Sequence, residues 1–177
     1  MSPSSLFAVQ FTLSLLLSAV VAGWYIGPAL RKLPLHAALV PLFLFEALRY
    51  LPSSAFAPGQ VGDAVPKAAM AGIAYGDLAS AVLSLLAAFS LRYKVSGAIA
   101  IAWVVNVVTS LDWLYASFLA ASNQLVTYPM GANWYIINYY VPAIGVAHVL
   151  IFVLLFKADR LRASTRPPPV GWPHSGG

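Results

Sequence analysis

Five long, nearly unbroken apolar runs alternate with short links along this chain. The links hold most of the breaking residues and basic side chains. A helix needs about 20 apolar residues to cross the hydrocarbon of a bilayer. By that measure the pattern predicts spans at about 6–26, 35–51, 68–91, 95–121 and 134–156. Pro34 suits a helix start and Pro52 a helix stop. The stretch 52–67, rich in Pro, Gly, Ser and Ala, reads as a loop, as does 123–133 with Pro129 and Gly131. Pro41 and Pro142 fall inside spans. Each lacks an N–H and crowds the carbonyl four residues back, which predicts kinks that free the carbonyls of Ala37 and Asn138. The expected fold is all-α: a polytopic membrane bundle of five transmembrane helices over residues 1–157. A basic, Pro/Gly-rich cytoplasmic tail over 158–177 follows, read as polyproline-like or disordered.

Composition supports the membrane class. The chain is 60% hydrophobic and only 8% charged, with mean hydropathy +0.80, whereas soluble domains carry roughly a quarter charged residues. The absence of cysteine removes disulfides, thiol redox chemistry and thiolate metal sites. The net charge of +5 is explained by topology. Arg31 and Lys32, Arg92 and Lys94, then Lys157, Arg160, Arg162 and Arg166 all fall on one side of a five-span layout, so positive-inside places the N-terminus outside and the C-terminus in the cytoplasm. Residues 1–5 carry no basic side chain, the reverse of a secretory n-region, so the first run reads as an uncleaved helix. No interleaved basic and aromatic patch suggests nucleic acid.

Against this apolar background a few polar residues stand out. The fourth run holds Asn106, Thr109, Ser110 and Asp112, the third holds Asp77 with Ser80 and Ser84 along one side, and the second holds Glu46 and Arg49. An ionisable residue inside a membrane helix is costly and normally faces a bundle interior or a wet cavity. Glu46 and Arg49, three apart, can pair on one face; a local ion pair at the interface, with Arg49 snorkelling outward, is the plain alternative to a ligand-binding role. In the fifth run a polar-aromatic mouth, Asn133 to Tyr140, is followed by Gly145 and His148. In the first, Gln10, Ser14 and Ser18 share a face and suit a packing seam. At ~1.5 Å per residue Glu46 lies ~7 Å below its helix's outer end, Asp77 and Asp112 ~13 Å, and Asn106 and His148 ~20 Å. If these faces converge, they form a polar chamber open to the outside. The candidate ligand-binding residues are Glu46, Arg49, Asp77, Asn106, Asp112, Asn138 and His148. Asp77 and Asp112 are the charge-bearing pair, Glu46 and Arg49 a gate pair, and Asn138 and His148 orienting groups.

Several chemistries drop out. No interior lysine exists for a retinal Schiff base. No phosphate-binding glycine loop, nucleophile elbow or paired-histidine zinc motif is present. The Glu, Asp and His spacing matches no metal motif, and His36 and His148 lie at different depths, unlike paired haem ligands. No metal and no cofactor is expected. At Ala-Tyr-Gly-Asp-Leu (74–78), Leu-Arg-Tyr-Leu (48–51), Ser-Leu-Asp-Trp-Leu (110–114) and Val-Ala-His-Val-Leu-Ile-Phe (146–152) the chain resembles small bacterial multi-spanning membrane proteins with no assigned function. That resemblance implies a bacterial inner-membrane location and brings no activity. The functional expectation is binding or transport of a small cationic or amphipathic ligand. The alternatives are a membrane-embedded enzyme using carboxylates and His on a lipid-like substrate, or an accessory subunit whose polar groups join helices. Partners expected are the lipid bilayer, a small-molecule or lipid-like ligand, and a second copy or other subunit of a membrane complex.

Overall fold

A computed structural model describes residues 1–164, which are helical throughout apart from their connecting links, with no strand among the described residues. Five helices are long and apolar enough to cross a membrane: α1 (Pro3–Leu30), α2 (Leu35–Phe56), α3 (Lys67–Arg92), α4 (Ala98–Ser122) and α5, which begins at Asn133 and runs through Val141–Ser164. The helix therefore continues into the stretch expected as tail. Residues 165–177 of that tail lie outside the described residues. Successive helices alternate in direction, so the links carrying Arg31, Lys32, Arg92 and Lys94 share one end of the bundle with Lys157 and Arg160. This is the basic end, and the two longer connections form the opposite, loop end.

Three departures from regular α winding shape the bundle. Widened π turns at Ala22–Ile26 and Ile136–Tyr140 stand just ahead of Pro28 and Pro142. Each relieves the clash of the proline ring with the carbonyl four residues earlier. Pro41, in contrast, lies within unbroken α winding over Leu35–Glu46. The third departure is in α2, which tightens after Glu46 into a 3-10 helix over Ala47–Phe56 that carries Pro52 inside it, beyond the stop the sequence suggested. A 3-10 helix turns every 3.0 residues, so side chains three apart stack on one face. Glu46, Arg49, Pro52 and Ala55 form such a row, and all are buried. The row packs along α3, and that burial offsets the backbone bond Pro52 cannot make.

Helix α3 admits such close packing because its inward face is small: Ala74, Asp77, Ser80, Ala81, Ser84, Ala87 and Ala88 are buried at helical spacing. Two apolar clusters result. At the basic end, Leu39 and Phe43 of α2, Ala87 and Leu91 of α3, Ala98 and Ala102 of α4, and Ile151 and Leu155 of α5 interlock. At the loop end, Ala55, Val65, Ala69, Met70, Leu125 and Met130 form a smaller cap. Between the clusters lies a layer of buried polar side chains. Helix α1 joins the basic-end cluster through Leu30 at its end. It packs on α5 and is held there by Trp134 Nε1 donating to Gln10 Oε1 at 3.0 Å. Its Ser14 is buried while Trp24 and Tyr25 are exposed.

The two loops of the loop end are tied to each other. Gly62 N–H donates to the Pro129 carbonyl at 3.0 Å. Gly131, at φ +52°, passes so close to Gln60 that a Cβ there would collide with the Gln60 carbonyl. Gly59 has φ +74° with open space around it. Gly131→Ala is expected to destabilise the purified protein by at least about 2 kcal/mol, through both strain and collision. Gly59→Ala is expected to cost about 1 kcal/mol from strain alone. Thermal unfolding in detergent micelles measures both, and a Gly131 variant no worse than the Gly59 variant would refute the loop constraint.

Candidate functional site

The polar layer is organised by Arg49, whose side chain is fully buried. Helical spacing alone suggests Glu46 as its partner, but the 3-10 row carries Arg49 across to α3 and α4 instead. Its Nε donates to Asp77 Oδ1 at 2.8 Å and its Nη2 lies 2.7 Å from the same oxygen. Nη2 also donates to Asp112 Oδ2 at 2.6 Å, and Nη1 to the Thr109 carbonyl at 2.7 Å. Ser80 Oγ adds a bond to Asp112 Oδ2 at 2.9 Å. One planar guanidinium thus joins three helices. Its fixed fork suits this geometry, which the single point charge of lysine would not reproduce. Neither snorkelling nor the expected Glu46–Arg49 gate pair is seen: Arg49 is buried and its ion pairs are with Asp77 and Asp112.

Glu46 takes another partner. It is fully buried, accepts from Ser84 Oγ at 3.4 Å, and places Oε1 2.8 Å from His148 Nδ1 on α5. Asn106 Nδ2 donates to the His148 carbonyl at 3.4 Å, and its Oδ1 lies 3.0 Å from His148 Nδ1. Glu46 Oε1 and His148 Nε2 are buried without a hydrogen-bond partner. Of the seven candidate residues, Glu46, Arg49, Asp77, Asn106, Asp112 and His148 therefore meet in one layer. Asn138 is buried in the π turn of α5, donates to the Trp134 carbonyl at 2.8 Å, and bonds to none of the other six.

Other residues support the layer without having stood out as candidates. Gly76 is required by Asp112, whose Oδ1 would collide with any Cβ at that position. A glycine beside a buried aspartate is the only trace of this in the sequence. Gly145 similarly admits the Trp113 ring, which would lie 3.0 Å from an added Cβ. Tyr140 donates to the Phe45 carbonyl at 2.8 Å, where α2 changes winding.

Beside the layer, toward the loop end, lies a cavity of about 430 Å³. Its walls are mainly apolar: Phe7 and Phe11 of α1, Met70 and Ile73 of α3, Trp113 and Ala116 of α4, and Ile137 and Ile144 of α5. Ser4, Ser117, Ala121 and Gln124 line it and are also exposed, so it opens on the flank between α1 and α4. Among the candidate residues only Asp77 borders it. The expected polar chamber is thus an apolar cavity whose inner wall is touched by a packed polar layer, because the polar side chains largely bond one another. Such a site, mostly apolar with a few placed polar groups, has the usual character and size of a small-molecule pocket.

The family model described as "Domain of unknown function (DUF8737)" matches residues 6–156. No curated protein and no solved structure matches the chain. Replacing Arg49 by Met strands the buried carboxylate of Asp77 and the part-buried one of Asp112, and is expected to cost about 3 kcal/mol. Adding Asp77→Asn and Asp112→Asn should recover most of that loss, since the uncompensated charges go with it. Unfolding of the purified variants in micelles is the measurement. A triple variant as unstable as Arg49→Met would show that the ion pairs do not govern this layer.

Proposed function

We propose that this chain, which belongs to the DUF8737 family, is a five-span membrane protein that binds an amphipathic cation in the cavity beside Asp77. The reading rests on one observation above all: a mainly apolar cavity has a buried acidic residue, Asp77, in its wall. Asp77 Oδ1 is engaged by Arg49, whereas Oδ2 accepts from no described residue and is open to a ligand. Charge balance points the same way. The layer holds Glu46, Asp77 and Asp112 against Arg49, so with all of these ionised, and even with His148 protonated, negative charge is in excess. Buried charges require partners, and an ammonium group on an apolar body supplies one. The flank opening between α1 and α4 suits entry from the bilayer. The basic residues gathered at one end support an N-terminus outside and C-terminus inside, which puts the cavity in the outer half of the membrane.

A second reading, a membrane-embedded acid–base enzyme, is favoured by the 2.8 Å approach of Glu46 Oε1 to His148 Nδ1. It ranks lower because neither residue borders the cavity, and a general acid or base must reach its substrate.

Two measurements test the proposal. Dodecylamine should bind the purified protein at least about tenfold more tightly than dodecanol, followed through Trp113 in the cavity wall, and Asp77→Asn should remove most of that difference. Equal affinity for amine and alcohol in wild type would end the cationic reading. For orientation, the chain has no cysteine, so single cysteines replacing the exposed Ala57 and Ser96 can be labelled in intact cells with an impermeant maleimide. Ala57→Cys should react and Ser96→Cys should not; the opposite pattern would invert the topology.

A further inference from the structure

Asn133 stands at the loop end of the same cavity with half of its amide unused. The residue is 2% exposed and lines the cavity. Its Oδ1 accepts from Ser54 Oγ at 3.3 Å, and its Nδ2 has no partner among the described residues. Leaving a buried donor unmade is costly, and native structures rarely do so without a reason. The neighbouring polar groups of the wall are already bonded: Trp113 Nε1 donates to the Val141 carbonyl at 3.2 Å, and Tyr140 to the Phe45 carbonyl at 2.8 Å. Two unmet groups therefore belong to buried residues of the cavity wall, the acceptor Asp77 Oδ2 and the donor Asn133 Nδ2. Apolar Met70, Ile73, Leu125 and Ile137 fill the wall between.

The spacing of the two follows from α2. Arg49 marks the level of Asp77, and Ser54 marks that of Asn133. The 49–54 interval is 3-10 helix, and at ~2 Å rise per residue it separates the two levels by roughly 10 Å. Ser4, Ser117, Gln124 and Thr127 also line the wall, but each is exposed, whereas Asp77 and Asn133 are buried.

We infer that the ligand has two polar ends: a cation taken by Asp77 and, across an apolar linker, an oxygen acceptor such as a hydroxyl, ether or carbonyl taken by Asn133. This rests on the proposed binding of an amphipathic cation in the cavity. It adds Asn133 as the residue that selects among cations by their far end. A simple alkylamine satisfies Asp77 alone, whereas a linear amino alcohol of matching length satisfies both.

The test titrates the full-length protein in micelles with linear amino alcohols from butyl to dodecyl, each paired with the alkylamine of equal length. In wild type, the ratio of amino alcohol to alkylamine affinity should pass through a maximum at an intermediate length, at about fivefold for one added hydrogen bond. Asn133→Ala should flatten that maximum, with the fold of the variant checked by circular dichroism in the same micelles. Asn133→Leu, which keeps the approximate shape and removes the donor, should flatten it as well. A wild-type ratio that stays flat, or an Asn133 variant that retains the maximum, overturns the two-ended ligand while alkylamine binding through Asp77 stands. Failure of wild type to bind either series overturns the cavity reading together with this inference.

Discussion

Everything in this bundle depends on burying one guanidinium between two carboxylates. Arg49 comes from α2, Asp77 from α3 and Asp112 from α4, and each would be intolerable alone in an apolar interior. Their mutual satisfaction dictates how close the three helices come and in what rotation. It explains why α3 presents alanine and serine inward, since bulkier residues would hold α2 and α4 out of reach of the fork. It also explains Gly76, which leaves no atom where Asp112 must lie. The neighbouring Glu46–His148–Asn106 contacts extend the same layer to α5. The four inner helices are thereby fixed by directional bonds, to which the apolar clusters above and below add close packing.

The outer helix follows a different rule. α1 has little share in the polar layer and is bonded to the bundle through Gln10 and Trp134. Its inward aromatic residues, Phe7 and Phe11, face a space that the other helices leave unfilled. A bundle whose centre is so firmly specified can carry a loosely packed flank, because the stability of the whole does not require that space to close.

Much of this was legible in the sequence, for identifiable reasons. Span number and approximate limits follow from hydrophobic length, a property of composition along the chain that packing does not alter. The polar residues of the centre were legible because an Asp, Glu or Arg in an apolar run stands out whatever it touches. Their pairing was not legible. Spacing of three suggested Glu46 with Arg49, while partner choice is set by helix rotation and by a winding change that no local propensity announces. Nor could the cavity be read, since it is a shortfall of packing among Phe7, Ile73, Trp113 and Ile137, each an ordinary apolar residue. Asn138 shows the limit from the other side: it is polar and buried as expected, yet its π turn gives it a local carbonyl in place of the central layer.

The tight winding of α2 has a further consequence, for length. Over Ala47–Phe56, a rise of ~2.0 Å per residue in place of ~1.5 Å lengthens the segment by roughly 5 Å. The loop-end cap is anchored at the far end of that segment and the ion pair at its near end. The height of the cavity is therefore a matter of pitch: the helix acts as a spacer whose thread, more than the size of any side chain along the walls, sets how far apart floor and roof stand.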